Sequence, residues 1–224
     1  MATSVDGRIV VDGWPSSVAG AVRRQYEKVH ASYEAEGWIC GRLTMEPFAG
    51  GVRPEAEVAR EHDGAPREDF IAAGEHDSFA FAIDASGRLA WESNDIDGDH
   101  VVAILCERVS DEYLAGLRAC GVSYLLAGAR DVDLAVALEK IAERFGVRTL
   151  MLEGGGKING GMLRAGLIDE ISVLVAPVAD GRTGNAALFD VNDEVTPRRL
   201  VLQEVERHEG DVLWLRYRVE VSTS

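Results

Sequence analysis

Glu153 followed by Gly154, Gly155 and Gly156 is the stretch of this chain with the clearest chemical meaning. The apolar run Thr149-Leu150-Met151-Leu152 leads into it, and Lys157-Ile158-Asn159 leads out. Strand, glycine turn and helix start together bring a backbone close to a phosphate. Glycine has no Cβ to block the approach, and the helix start presents unpaired N–H groups and a positive dipole end. A carboxylate just before such a turn is badly placed to bind phosphate. It is well placed to grip or protonate whatever lies beside the cofactor. The pattern predicts a nucleotide cofactor at Gly154, Gly155, Gly156 and Lys157, and a polar substrate at Glu153.

The elements that position these residues follow from periodicity. Val18 to Glu36 place Val18, Val22, Tyr26, Val29 and Tyr33 on one helical face, ended by Gly37. Trp38 to Cys40 reads as a short buried strand, and Gly41-Arg42 turns into a short helix from Thr44 to Phe48. Residues 49–78 read as a long surface loop whose Arg53, Arg60 and Arg67 are mostly solvated. Phe79 to Ile83 is a strand, followed by the turn Asp84-Ala85-Ser86-Gly87. Val101 to Cys106 is a continuous apolar run, hence a fully buried strand. Ser110 caps a helix to Ala119, and Val122 to Ala127 is the next strand. Asp131 or Asp133 starts a helix with Leu134, Leu138, Ile141 and Phe145 on one face, and Gly146 ends it. Arg148 to Leu152 is again a strand. Val5 to Val11 reads as the first strand, broken at Asp6-Gly7, and a central strand usually has several more residues before Ser4.

Alternation of strand and helix from Val101 to Leu152 predicts a largely parallel sheet. After Leu167 the helices stop. Ile171 to Ala176, Arg199 to Glu206 and Val212 to Val221 are strands, the last two joined by a hairpin turn at Glu209-Gly210-Asp211. The expectation is one α/β domain, residues 1–224, with a mostly parallel central sheet and antiparallel strands at its C-terminal edge.

Bulk properties exclude several functions. The net charge is −15 over 224 residues, which opposes nucleic-acid binding. An anion site must then be local, built from backbone N–H groups and a few arginines. No apolar run approaches the roughly 20 residues of a membrane helix, and no secretory signal is evident, so no membrane partner and a cytoplasmic location are expected. Cys40, Cys106 and Cys120 are widely spaced among apolar neighbours and read as reduced core residues. The five histidines form no paired ligand motif, so no metal is expected.

Six pieces of the chain, taken in order, resemble the reductase (RibD C-terminal) domain of bacterial bifunctional riboflavin-biosynthesis proteins, a branch of the dihydrofolate-reductase-like fold. They are Ser4-Val5-Asp6-Gly7-Arg8-Ile9, Gly41-Arg42-Leu43-Thr44, Asp84-Ala85-Ser86-Gly87-Arg88-Leu89, Glu153-Gly154-Gly155-Gly156-Lys157-Ile158-Asn159, Ala165-Gly166-Leu167-Ile168-Asp169-Glu170 and Ala176-Pro177-Val178. The resemblance covers nearly the whole chain. It implies a three-layer fold with helices on both faces of the sheet and an NADPH-dependent reductase that is usually a homodimer. The substrate implied is a phosphorylated ribosylaminopyrimidine, its sugar open as an imine or aldehyde and reduced to ribityl. The zinc motifs of the partner deaminase domain are absent, so a stand-alone reductase is implied.

By the same resemblance, Gly154, Gly155 and Gly156 line the pyrophosphate and nicotinamide ribose. Gly41, Arg42 and Thr44 face the adenosine-side phosphates. Asp84, Ser86 and Arg88 handle the adenine ribose and its 2′-phosphate. Ser4 and Asp6 lie on the substrate side with Glu153, and Asp6 either orients substrate, relays a proton or forms an Asx-type turn with Gly7. One departure bears on the substrate. The Leu-Arg-Ala triplet and the Asp-Pro stretch, whose arginines help hold substrate phosphate in the family, are missing. Lys28, His30 and Arg53 are the substitutes on offer. A reductase of another carbonyl, imine, enone or pterin-like compound, or a non-catalytic NADP-binding homodimer, therefore remains open.

Overall fold

The computed structural model describes residues 1–54, 67–191 and 196–220. Arg60 lies outside them. Along the chain run β1 (Ala2–Thr3), α1 (Ser16–Ser32), β2 (Gly37–Gly41), α2 (Arg42–Met45), β3 (Phe79–Ile83), β4 (Asp95–Ile96), β5 (Asp99–Leu105), α3 (Asp111–Ala119), β6 (Ser123–Leu126), α4 (Leu134–Phe145), β7 (Leu150–Gly154), α5 (Gly156–Ala165), β8 (Glu170–Val175), β9 (Leu200–Arg207) and β10 (Leu213–Val219). They form two compact units, one of Ala35–Glu153 and one of Met1–Glu34 with Gly154–Ser224.

The unit Ala35–Glu153 holds a sheet in the order β4-β5-β3-β2-β7, with β6 paired to β5. Pairs β2–β3, β3–β5 and β5–β6 are parallel, as the alternating pattern predicts. Residues 101–105 of β5 are all fully buried. Each such Val, Ile or Leu contributes roughly 1.5–3 kcal/mol by leaving water. Helices α3 and α4 pack against β6. Their ends follow local chemistry. Ser110 Oγ accepts the Tyr113 N–H, Asp133 accepts from Ala135 and Val136, and Gly146 takes the left-handed conformation that closes α4. Strand β4 has no counterpart in the sequence pattern; its two residues pair antiparallel with the start of β5. Cys40 and Cys106 are buried as expected, but Cys120 is exposed because it caps the end of α3 rather than facing inward.

The unit Met1–Glu34 with Gly154–Ser224 corrects the expected pairing. The late strands are not an edge of the parallel sheet. They pair with each other and with β1, in the order β1-β8-β10-β9, with β1–β8 parallel and the other two pairs antiparallel. The first strand is also misplaced by the sequence pattern: it is Ala2–Thr3, ahead of Val5–Val11. Ser4 N–H donates to the Arg8 carbonyl, Gly7 sits at φ 80°, and Val5 and Val11 are exposed. A tight loop replaces the strand. Trp14, Ala21, Val22, Leu174, Ala176 and Val212 form the core here, with α1 lying against β8. A register shift between Arg216 and Tyr217 inserts an extra residue in β9, so that Leu202 and Val205 share one sheet face.

His100, at the start of β5, generates a pH dependence. It is 2% exposed, stacks on His76 at 3.9 Å, and its Nε2 lies 2.7 Å from Ser123 Oγ. Burial, then the neighbouring His76, push its pKa down to about 4, against a smaller pull from Asp95. The unfolded chain takes up the proton near pH 6.5 while the folded one resists it to about 4. Stability is therefore retained above pH 6.5 and lost as pH falls from 6.5 towards 4. Urea unfolding between pH 7 and 4 should show a declining midpoint, and His100→Gln should flatten that part of the decline; an unchanged slope in the variant refutes the assignment to His100.

Candidate cofactor-binding turn and adjoining strand ends

Strand β7 delivers the glycine run. Gly154 and Gly155 adopt φ 123° and 82°, which side-chain-bearing residues rarely enter. Gly155 is the N-cap of α5 and supplies no side-chain acceptor, so the first-turn N–H groups gain no partner from a capping side chain. Two turned glycines ahead of an uncapped helix fit a phosphate-bearing cofactor, and Lys157 is exposed in the first turn. Gly156 has a different reason. A Cβ there would run into the carbonyl of Ala187 and lie 2.9 Å from Asp190 Oδ2. One turn on, a Cβ at Gly160 would be 2.6 Å from Val191 Cγ1 and 2.7 Å from the Asp190 carbonyl. These two glycines make room for the protein's own chain.

Ser4 and Asp6 join the same unit in an unexpected way. Ser4 is buried, its Oγ donating to Asp6 Oδ1 at 2.7 Å and accepting from Arg8 N–H at 2.9 Å. Asp6 accepts the N–H groups of Asp180 and Gly181, both at 2.9 Å. Those bonds, with the Ser4 hydroxyl, lower the Asp6 pKa to about 2. Asp6 is thus ionised at neutral pH, its carboxylate held by the backbone of Asp180 and Gly181. The Asx turn with Gly7 does not form: Gly7 N–H donates to the Ser4 carbonyl and Arg8 N–H to Ser4 Oγ. Asn159 of the glycine motif and three residues that the sequence pattern does not mark complete the arrangement. Asn159 donates to the Leu188 carbonyl, Asp190 accepts from Ala187 N–H, and Asp180 is held far below the ordinary carboxylate range by its bonds from Arg182. Only the turn-rich composition of Asp180-Gly181-Arg182-Thr183-Gly184-Asn185 hinted at this loop.

In the unit Ala35–Glu153, the expected residues gather at strand ends. Gly41 pairs with Ile83, so Arg42 and Asp84 leave adjacent parallel strands together. Glu36 accepts from Arg148 and Thr149 before β2 and β7 begin, and Glu153 is near enough to Cys40 to add to the burial that raises its thiol pKa. The two strands therefore run the same way, and half-buried Glu153 shares this edge with Gly41. Arg42 is ion-paired with Glu46 one turn along, and Thr44 is half-buried in a helix of only four residues. Asp84 is 1% exposed and accepts from Leu89 N–H at 2.7 Å. Burial raises its pKa against the pull of the Leu89 and Arg88 N–H groups and of Arg42, and its Oδ1 has no hydrogen-bond partner among the described residues. Asp84 shapes the turn from beneath through its bond from Leu89, and half-buried Ser86 is the turn residue nearer the surface.

Of the candidate phosphate cations, Arg53 and His30 are engaged, and so is Arg67, which is enclosed rather than solvated as expected. Arg53 lies over the Tyr113 ring at 5.0 Å. Arg67 donates to the Glu107 carbonyl at 2.7 Å and pairs with Asp111. Lys28 is exposed on α1, and His30 stacks on Tyr26.

The model of the RibD C-terminal domain family matches residues 1–214. The chain belongs to this family. Among relatives of the RibD C-terminal domain, a 2,5-diamino-6-ribosylamino-4(3H)-pyrimidinone 5′-phosphate reductase of Methanothermobacter thermautotrophicus is 39% identical over 84 residues, 38% of each chain. The match thus spans well under half of that relative. A pyrimidine reductase-like protein of Corynebacterium diphtheriae superposes with a TM-score of 0.72 at 18% identity, covering 99% of this chain and 90% of that one. RibD of Acinetobacter baumannii gives 0.63 at 19% identity over 98% of this chain and 56% of that one. At these identities the superpositions establish a shared mixed α/β fold. No helix among the described residues is long and apolar enough to cross a membrane.

The crowding at α5 has a direct test. Gly156→Ala should cost about 1–3 kcal/mol of stability, the usual range for overpacking against backbone that cannot retreat. Lys157→Ala, one residue on and exposed, should stay within about 0.5 kcal/mol. Equal unfolding midpoints for the two variants refute the packing argument.

Proposed function

We propose that this chain is an NADPH-dependent reductase of a ribosylaminopyrimidine 5′-phosphate, the step of riboflavin biosynthesis named for its relatives. The observation that carries this reading is the turn of Gly154 and Gly155 ahead of the uncapped α5, in a chain of the RibD C-terminal family. The whole of residues 1–224 acts as one reductase domain in this reading, in a cytoplasmic protein.

NADPH, when bound, supplies the hydride that reduces a carbonyl or imine carbon. The chain supplies orientation and a proton. In the unit with α5, the N–H groups after Gly155 face phosphate, with Lys157 adding charge. In the unit Ala35–Glu153, Gly41, Arg42, Thr44 and Ser86 are the cofactor candidates, with Asp84 holding their neighbouring turn in shape. Glu153 carries the substrate side, holding the polar group beside the reacting carbon and supplying or ordering its proton.

A second reading keeps the reductase and changes the substrate. It is favoured by the missing family arginines and by the engagement of Arg53 with Tyr113 and of His30 with Tyr26, which leave exposed Lys28 as the substitute cation on offer. A panel separates the two: NADPH oxidation is followed with the aminopyrimidine ribosyl phosphate and with small carbonyls lacking phosphate. Oxidation confined to the latter rejects the riboflavin step. Tight NADPH binding with no oxidation of any compound rejects catalysis altogether. Within either reading, Glu153→Gln should lower kcat about a hundredfold and leave NADPH affinity nearly unchanged; full turnover in that variant removes Glu153 from the mechanism.

A homodimer belongs to the same proposal. Strand β9 is the outer strand of its sheet, with Leu202 53% and Val205 56% exposed on one face. An open edge beside exposed apolar side chains suits a second copy of the chain. Leu202→Lys with Val205→Lys should halve the mass measured by light scattering; a wild-type chain already monomeric at micromolar concentration sinks this part.

A further inference from the structure

We infer that Asp6 is a positioning residue, which sets the geometry of the cofactor-binding turn through a strap formed by Asp180–Asp190. One end of the strap is fixed by the Asp6 carboxylate, which accepts both the Asp180 and the Gly181 N–H. Its middle is stitched to the same loop. Arg8 Nη1 donates to the Asn185 carbonyl at 2.7 Å, Ile9 N–H to Ala186 at 3.0 Å, and Leu188 N–H to the Gly7 carbonyl at 3.1 Å. The far end is fixed to α5. Asp190 N–H donates to the Gly156 carbonyl at 2.8 Å, and Asn159 Nδ2 to the Leu188 carbonyl at 2.8 Å.

The strap also presses on α5 where no side chain fits, at Gly156 and Gly160. A helix whose first residue is both hydrogen-bonded and in contact with the strap cannot rotate or slide unless the strap moves too. Interiors this tightly filled transmit displacement rather than absorb it. Loss of the Asp6 carboxylate releases two backbone N–H groups at one end, and the slack reaches the first turn of α5. Asp6 touches neither cofactor nor substrate in this account. It decides where the N–H groups that meet the cofactor point.

The inference rests on the cofactor reading for the ligand served, but the strap is tested without any ligand. Hydrogen exchange of the cofactor-free full chain is compared for wild type, Asp6→Asn and Asp6→Ala. Asp6→Ala should speed exchange about tenfold at Asp180 and Gly181 and also at the amides of residues 156–159. Asp6→Asn, which keeps one acceptor oxygen, should do so less. Faster exchange that stops at Gly181 overturns the inference.

A second arm titrates NADPH into Asp6→Ala, Gly160→Ala and the double variant. Gly160→Ala disturbs the strap from its other end. Each single change should weaken NADPH about tenfold, and the double variant should be little worse than either, because both act through one element. Multiplying losses, as expected of two independent structural defects, overturn the inference. No NADPH binding by the wild type instead refutes the cofactor reading, and the exchange result still decides the strap.

Discussion

A single methyl group at Gly156 would meet the Ala187 carbonyl, and the placement of the first turn of α5 depends on that exclusion. It fixes where α5 begins relative to a remote part of the same unit. Gly154 and Gly155 then follow a path open only to glycine, and Glu153 stands at the last position before the bend. The three glycines therefore answer two demands. Two supply backbone freedom and one supplies clearance. A sequence motif read as a phosphate cradle is, in its third residue, an internal packing contact.

The acidic groups divide in the same manner. Asp6, Asp84 and Asp180 are all committed to backbone N–H or guanidinium partners that define loops. The balance between burial and donated bonds decides the direction in which each titrates, and enclosed Asp180 is pulled down by Arg182. Asp84, enclosed and with one oxygen unsatisfied, is pushed up; Asp6, at the surface among N–H donors, is pulled down. Carboxylates near a strand end are therefore not interchangeable candidates for proton transfer. In a chain with a net charge of −15, these three are held in structural bonds before any ligand arrives.

What was legible in the sequence is what depends on near neighbours. Ser110 and Asp133 cap their helices through bonds to residues two or three positions on, and Gly146 ends α4 by its own φ. Runs such as Val101–Leu105 declare burial by composition. The errors come from long-range pairings. The partners of Asp6 lie at the other end of the chain, so its carboxylate read equally well as a proton relay or a local turn. Val5 and Val11 have strand-like side chains, but Gly7 and the Ser4–Arg8 bond close a loop there. The late strands look like an edge because hydropathy marks a strand and not its neighbour. Six short motifs in order were enough to place the chain in its family, since each carries backbone demands that few sequences meet.

The two units differ in how the chain visits them. Ala35–Glu153 is one continuous stretch, whereas the other is assembled from both ends. During synthesis the continuous unit can collapse as soon as Glu153 has left the ribosome. Strand β1 must wait, without its neighbour β8, until translation has passed Val175. Asp6 waits longer still for Gly181. The glycine bend is consequently among the last parts to acquire its final form, since its partners Ala187 and Asp190 follow the parallel sheet in the chain.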